Sequence, residues 1–355
     1  MILLPLAILL AASGPRPAPR APEQFTVRVD SSRHEVILTA GPYDLPAGHA
    51  PAAGHGMAGM SMGDMSDMAM VSSGLLEFTW PVDGWAHGVK LRVFDQAGHP
   101  LSHRFIHHIN IVNFARRQLF YSAPERMIAL GQETEDVHLP ATIGIPVAST
   151  MPMAMLLMWD NETPEPVHGA MVEMTVEYSP ANLTPRPVSV MPVYMDVMNP
   201  VGHDVDFDLP AGVTSRSADF HLAVSGRIIG AGGHEHDYGT GITLFDITDG
   251  KPRSVMHLAT KLDAAGALLS IQRALPGLTG DGVRMQAGRT YRMEGTYNNP
   301  TGKTLDKGAM IHMALLYAPD RGAQWPAVPA ADSEYHKDVE RLEALGIVHA
   351  RMIRK

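Results

Sequence analysis

The chain has no cysteine among its 355 residues. That absence excludes disulfides, thiolate zinc sites, iron–sulfur clusters, a cysteine nucleophile and a lipoprotein anchor. No block of lysine and arginine stands out and the formal net charge is -9, which argues against nucleic acid as a partner. No internal apolar run is long enough to span a bilayer, so the mature chain reads as having no membrane contact. Methionine runs the other way, at 23 residues, far above ordinary usage. An apolar content of 45% is that of a globular protein, and the length suits two domains, each with its own core.

Residues 1–12, MILLPLAILLAA, are an apolar run followed by small residues and then PRPAPRAP. This is the pattern of a secretory signal with a Pro-rich leader, taken as residues 1–22, although a basic start is missing. It implies a periplasmic or secreted protein.

From there the pattern is strand-like. FTVRVD (25–30), EVILTA (35–40), LLEFTW (75–80), VKLRVFD (89–95) and IHHINIVNF (106–114) are short, rich in β-branched residues and bounded by Gly, Pro or Asp. MAMLLMWDN (153–161) and AMVEMTVEY (170–178) continue the series. A Pro-bearing break, SPANLTPRP (179–187), precedes a second series from VYMDVM (193–198) to MIHMALLYA (310–318). Many short strands with Gly/Pro turns predict an all-β protein of sandwiches or barrels. The boundaries fall at 23–180 for the first domain and 186–320 for the second, with 321–355 as linker and tail. Val339, Leu342 and Leu345 recur at helical spacing and predict a helix over 332–355.

Residues 48–70, GHAPAAGHGMAGMSMGDMSDMAM, follow neither pattern. Met57, Met60, Met62, Met65, Met68 and Met70 lie just after His49 and His55, separated by Gly, Ser and Ala. Such a stretch cannot build a core, so its methionines have no gap to fill. Thioethers favour Cu(I) and imidazoles serve both copper states, which makes this stretch a candidate copper-collecting loop; the plainer reading is a low-complexity linker. A chain that meets copper outside the cytoplasm also gains from having no thiol to oxidise.

The chain has 18 histidines, enough for chance to supply an HH and an H-x-H. Context must therefore discriminate. His234 and His236 lie in GGHEHDYG, where residues i and i+2 of a strand share a face and can offer two ligands to one ion. The preceding Ala231, Gly232 and Gly233 would let a ligand or another strand approach. His107 and His108 interrupt an apolar strand and need partners or a metal. Adjacent strand residues face opposite ways, so these two can share an ion only at a bend or a strand end.

The order of these motifs, HH in a first-half strand, H-x-H in the second half and a late strand methionine, resembles the copper type II, ascorbate-dependent monooxygenases, the family of peptidylglycine α-hydroxylating and dopamine β-monooxygenases. The likeness covers roughly residues 75–320. It implies two jelly-roll-like β-sandwiches in tandem, each offering one copper across a solvent-filled cleft. In the family the second-domain copper binds oxygen and abstracts hydrogen from substrate, and the first-domain copper passes on electrons from ascorbate. Carried over, the second copper falls to His234, His236 and Met310, and the first to His107 and His108. The family's third ligand there is a histidine opening an HYDN-like turn; here the turn is MWDN and the position is Met158. Either Met158 completes the site, or the site is lost, or it borrows His168 or His138. Met151, Met153 and Met155 alternate on the same segment, so Met158 also fits a Met-rich core strand.

The amidating members hold a peptide carboxylate with an Arg two residues before the H-x-H and an Asn and a Tyr after the methionine. Here those positions are Gly232, His312 and Ala314. The clamp is missing, so a glycine-extended peptide is not the expected substrate. Three readings remain open. The first is a copper- and ascorbate-dependent hydroxylase of another small or peptidic substrate. The second is a copper-sequestering or copper-resistance protein on the same scaffold, using the Met/His loop. The third is a structural β-sandwich with scattered histidines.

Overall fold

A computed structural model describes residues 24–48, 71–131, 136–161, 163–198, 205–328 and 331–353. The leader 1–22 and nearly all of the Met/His-rich stretch, with His49, His55, Met57, Met60, Met62, Met65, Met68 and Met70, lie outside the described residues.

The chain is all-β and forms two jelly rolls in tandem, each built on eight core strands to which further strands add at the sheet edges. In the first, one sheet runs Glu35–Leu45, Val167–Pro180, Gly84–Phe94, Ile143–Val147. The facing sheet runs Val71–Thr79, Pro152–Trp159, Ile106–Arg117, Pro124–Gly131. The second roll repeats the plan in chain order. One sheet is Met191–Asp196, Ile311–Pro319, Gly226–Glu235, Val283–Met285, and the other Gly212–His221, Thr290–Asn299, Gly239–Asp246, Arg253–Leu262.

Details repeat with the topology. Tyr178-Ser-Pro180 ends a strand against Gly84, as Tyr317-Ala-Pro319 does against Gly226. Asn161 and Asn299 nucleate matching turns. Each amide donates to the backbone carbonyl four residues on and to a carbonyl of a distant segment, Pro46 or Leu209, while its carbonyl oxygen accepts from the N–H and hydroxyl of the Thr two residues on.

Alternation sorts the methionines. Met153, Met155, Leu157 and Trp159 point into the first core against Leu38, Val172, Met174 and Val176. Ala154 and Leu156 lie on the other side of that strand, where Leu342 of the tail helix covers them. Met195, Met293 and Met313 fill the second core.

The tail differs from the sequence expectation. The helix is shorter, Ser333–Glu343, capped by Asp332, whose carboxylate accepts from the N–H groups of Glu334 and Tyr335. Gly346 then ends the helical run with φ +89°, where glycine is favoured. Beyond it Ile347–His349 pairs in parallel with Val71–Thr79, and Arg351–Ile353 with Gln24–Asp30. The tail therefore closes an open edge on both sheets of the first roll instead of extending as a helix.

The rolls interlock. Leu119 is buried in the second core and Ile229 in the first. The seam also holds Tyr194, whose N–H donates to Gln118 Oε1 (3.2 Å), and Asp196, whose N–H donates to Tyr121 Oη (2.8 Å).

Candidate metal centre

The HH pair sits on a β-bulge. Ile106 pairs with Trp159 and His108 with Met158, so two residues of one strand oppose a single step of the other. Ile106 and Ile109 both remain in the core. Regular alternation would send His107 inward; the bulge absorbs it and leaves the two imidazoles adjacent, with ring centroids 4.9 Å apart. The bend that the sequence required is thus present. Met158 lies directly across from His108 and outside the main core cluster, on the face opposite Met155 and Leu157. The alternative ligands are engaged elsewhere. His138 Nδ1 is 3.1 Å from Glu177, and His168 Nδ1 is 3.3 Å from Asp44.

The H-x-H pair closes the strand Gly226–Glu235. Glu235 turns inward, and its carboxylate accepts from Gly241 N–H (3.0 Å). His234 and His236 take the other face, with ring centroids 5.4 Å apart. Burial pushes the Glu235 carboxyl up to about 8. Met310 immediately precedes the strand Ile311–Pro319, one step past the Glu235–Ile311 pair. A single phenol fixes it beside His236. Tyr297 Oη accepts from the N–H groups of His236 (3.1 Å) and Met310 (3.2 Å) and donates to Met310 O (2.5 Å).

The glycines before the motif have different surroundings. A Cβ at Gly232 would meet nothing within 4 Å, so the space beside the missing clamp position is open. At Gly233 a Cβ would lie 2.8 Å from Ile242 Cδ1 and 3.2 Å from Ile271 Cδ1. There the facing sheet makes the close approach, leaving no room for a ligand.

The two motifs come together across the seam. Burial first, then His107 and His234, push His108 down to about 3. Burial first, then His234 and His107, push His236 down to about 3. Each imidazole therefore feels one from the other roll. A fifth histidine joins them. His312 is the cross-strand partner of His234, their rings stacked at 5.0 Å and 18°. Burial, then His234 and His236, hold it well below the usual histidine range. All three shifted imidazoles are thus neutral at pH 7, the form that binds metal. His236 Nδ1 and His312 Nδ1 have no hydrogen-bond partner. Buried nitrogens left unpaired are costly, and a metal would satisfy them. Among the described residues no three His, Asp or Glu side chains are grouped to hold an ion. The ligand types the sequence offers in each roll, two imidazoles and a thioether, are a soft combination of the kind suited to copper.

Several residues of this site carry no sequence signal. His312 is visible in the sequence only as a departure from the family pattern. Asp196, Tyr194 and Tyr297 belong to no motif. Tyr194 Oη donates to Asp196 Oδ2 (2.7 Å), and that oxygen lies 4.0 Å from His312 Nδ1. Burial raises the Asp196 carboxyl to about 7.

No protein-family model matches the chain, and no curated protein matches it in sequence. Among solved structures it is similar to the major capsid protein P2 of bacteriophage PM2, at 12% identity over 79% of this chain and 99% of that one, with a TM-score of 0.36. A protein of Sulfolobus turreted icosahedral virus matches at 10% identity over 77% and 94%, TM-score 0.33. PNGF-II matches at 7% identity over 81% and 66%, TM-score 0.38. Likeness at these values bears on neither chemistry nor assembly.

Proposed function

We propose that the chain is an exported copper protein of the copper- and ascorbate-dependent monooxygenase type, acting on a substrate other than a glycine-extended peptide. The observation that supports it is the convergence of the HH and H-x-H motifs, one from each jelly roll, at a single seam. His234, His236 and Met310 would hold one copper, and His107 and His108, with Met158 across the strand pair, the other. Copper there supplies one-electron redox chemistry and a coordination position open to oxygen, with ascorbate as reductant. The residues around it do the rest. Tyr297 keeps Met310 beside His236. The bulge keeps the His107 and His108 rings adjacent, 4.9 Å apart. The open space at Gly232 leaves room for substrate where the amidating enzymes place an arginine. The test is oxygen uptake with ascorbate and copper: His236→Ala should abolish it. Unchanged uptake in that variant would assign the activity to adventitious copper. Amidated product from a glycine-extended peptide would refute the substrate reading.

A second reading is copper sequestration. Two sequence features favour it, the methionine where the family has a third histidine and the Met/His stretch at 48–70. A Cu(I) stoichiometry well above two per chain, falling when 48–70 is deleted, would support it. Two or fewer, unaffected by the deletion, would count against it.

A further inference from the structure

We propose that Tyr194 is a proton-coupled redox site, with Asp196 as its base, that serves the histidine cluster through His312. A line of rings leads away from the H-x-H motif. His234 stacks on His312 at 5.0 Å, His312 lies 5.2 Å from Tyr194, and Tyr194 lies 6.3 Å from Tyr121, all as centroid separations. Such spacing allows an electron to move ring to ring.

Oxidising a phenol at neutral pH requires a place for its proton, and this requirement separates Tyr194 from the other described tyrosines whose hydroxyls donate a hydrogen bond. Tyr121, Tyr297, Tyr317 and Tyr335 donate to the backbone carbonyls of Asp196, Met310, Val224 and Phe114, which cannot accept a proton. Tyr194 donates to a carboxylate oxygen at 2.7 Å. That carboxylate is held in place by Met198 N–H on its other oxygen (2.8 Å), and the backbone N–H of Asp196 is anchored on Tyr121 Oη.

The step balances. One electron leaves the ring of Tyr194 for a one-electron oxidant, of the kind formed when reduced copper meets peroxide. The phenolic O–H bond breaks and its proton passes to Asp196 Oδ2. A neutral phenoxyl radical and a neutral carboxylic acid remain. One electron from a reductant such as ascorbate, with return of the proton, restores both. The couple would carry a stray oxidising equivalent away from the imidazole and thioether ligands.

The relay role rests on the copper reading; the Tyr194–Asp196 couple does not, and the test has two arms. In the first, metal-free protein is oxidised by a diffusing photo-oxidant and frozen for electron paramagnetic resonance. A tyrosyl signal should appear, be largely lost in Tyr194→Phe, weaken several-fold in Asp196→Asn and persist in Tyr335→Phe. A signal unchanged in Tyr194→Phe, or no signal in wild type, overturns the couple. In the second, protein loaded with Cu(I) receives hydrogen peroxide, with bound copper counted beforehand. The same Tyr194-dependent signal is expected, and its absence with copper bound overturns the relay. Absence of bound copper would instead refute the proposed function and leave the first arm standing.

Discussion

Gly232 and Gly233 are identical in sequence and opposite in environment. At Gly232 a methyl group would enter open space. Alanine there should leave stability unchanged or raise it by up to about 1 kcal/mol, because the unfolded chain loses freedom. At Gly233 the same methyl group presses on Ile242 and Ile271 and sits 3.2 Å from His312 O. Alanine there should cost about 1–3 kcal/mol by overpacking. Urea midpoints of the two variants check the contrast; equal effects would contradict the packing.

A second residue-scale expectation concerns Asp246, buried at 2% exposure beneath Arg289 (2.6 Å) and Arg253 (3.2 Å). Burial alone would raise its carboxyl. The Arg289 contact, both Thr248 hydrogen bonds and Arg253 outweigh burial and hold it far below the usual range. A depressed carboxylate stabilises the fold above its unfolded value, near 4, and loses that contribution as pH falls through the folded value. Wild type should therefore lose its stability advantage over Asp246→Asn as pH drops below about 4. Unfolding midpoints measured from pH 7 to pH 2 check this.

At the scale of elements, the strands legible in the sequence are those with a buried face and clean alternation, such as Pro152–Trp159 and Thr290–Asn299. Gly212–His221 is not legible because it is mostly exposed and polar, VTSRSADFH, and is held by pairing with Thr290–Asn299. The tail departs from its helical expectation because the spacing of apolar residues runs up to Leu345, while Gly346 and the free sheet edges decide the path beyond it. Leu342 packs against Leu75, Val112 and Ala154, so Leu342→Ala should cost about 2–3 kcal/mol. Deleting the residues after Leu345 should uncover both edges and promote association, visible as light scattering at concentrations where the full chain is monodisperse.

For the whole molecule, the seam joins parts that no local pattern relates. The HH motif lies on Ile106–Arg117, next to the edge strand Pro124–Gly131 of its sheet in the first roll, and the H-x-H motif at the end of Gly226–Glu235, a strand of the other sheet type in the second. The repeat therefore does not make the two donor pairs equivalent, and only the docking of the rolls brings them together. On the proposed copper reading the ligands come from both rolls, so Cu(I) should raise the unfolding temperature of the whole chain as one transition, by mass action on the folded state. His108→Ala and His236→Ala should each shrink the rise, and a chelator should reverse it, as measured by calorimetry.

The sequence by itself determined the all-β class and offered the two histidine motifs with their methionines as candidates, because strand alternation and ligand chemistry are written in residue type and spacing. Tertiary structure alone decided the rest. The bulge that makes His107 and His108 neighbours depends on cross-strand register. The meeting of the two motifs depends on how two cores interlock through Leu119 and Ile229. His312, Tyr194 and Asp196 join the site because cross-strand pairing and burial, which link residues distant in the chain, set them beside His234.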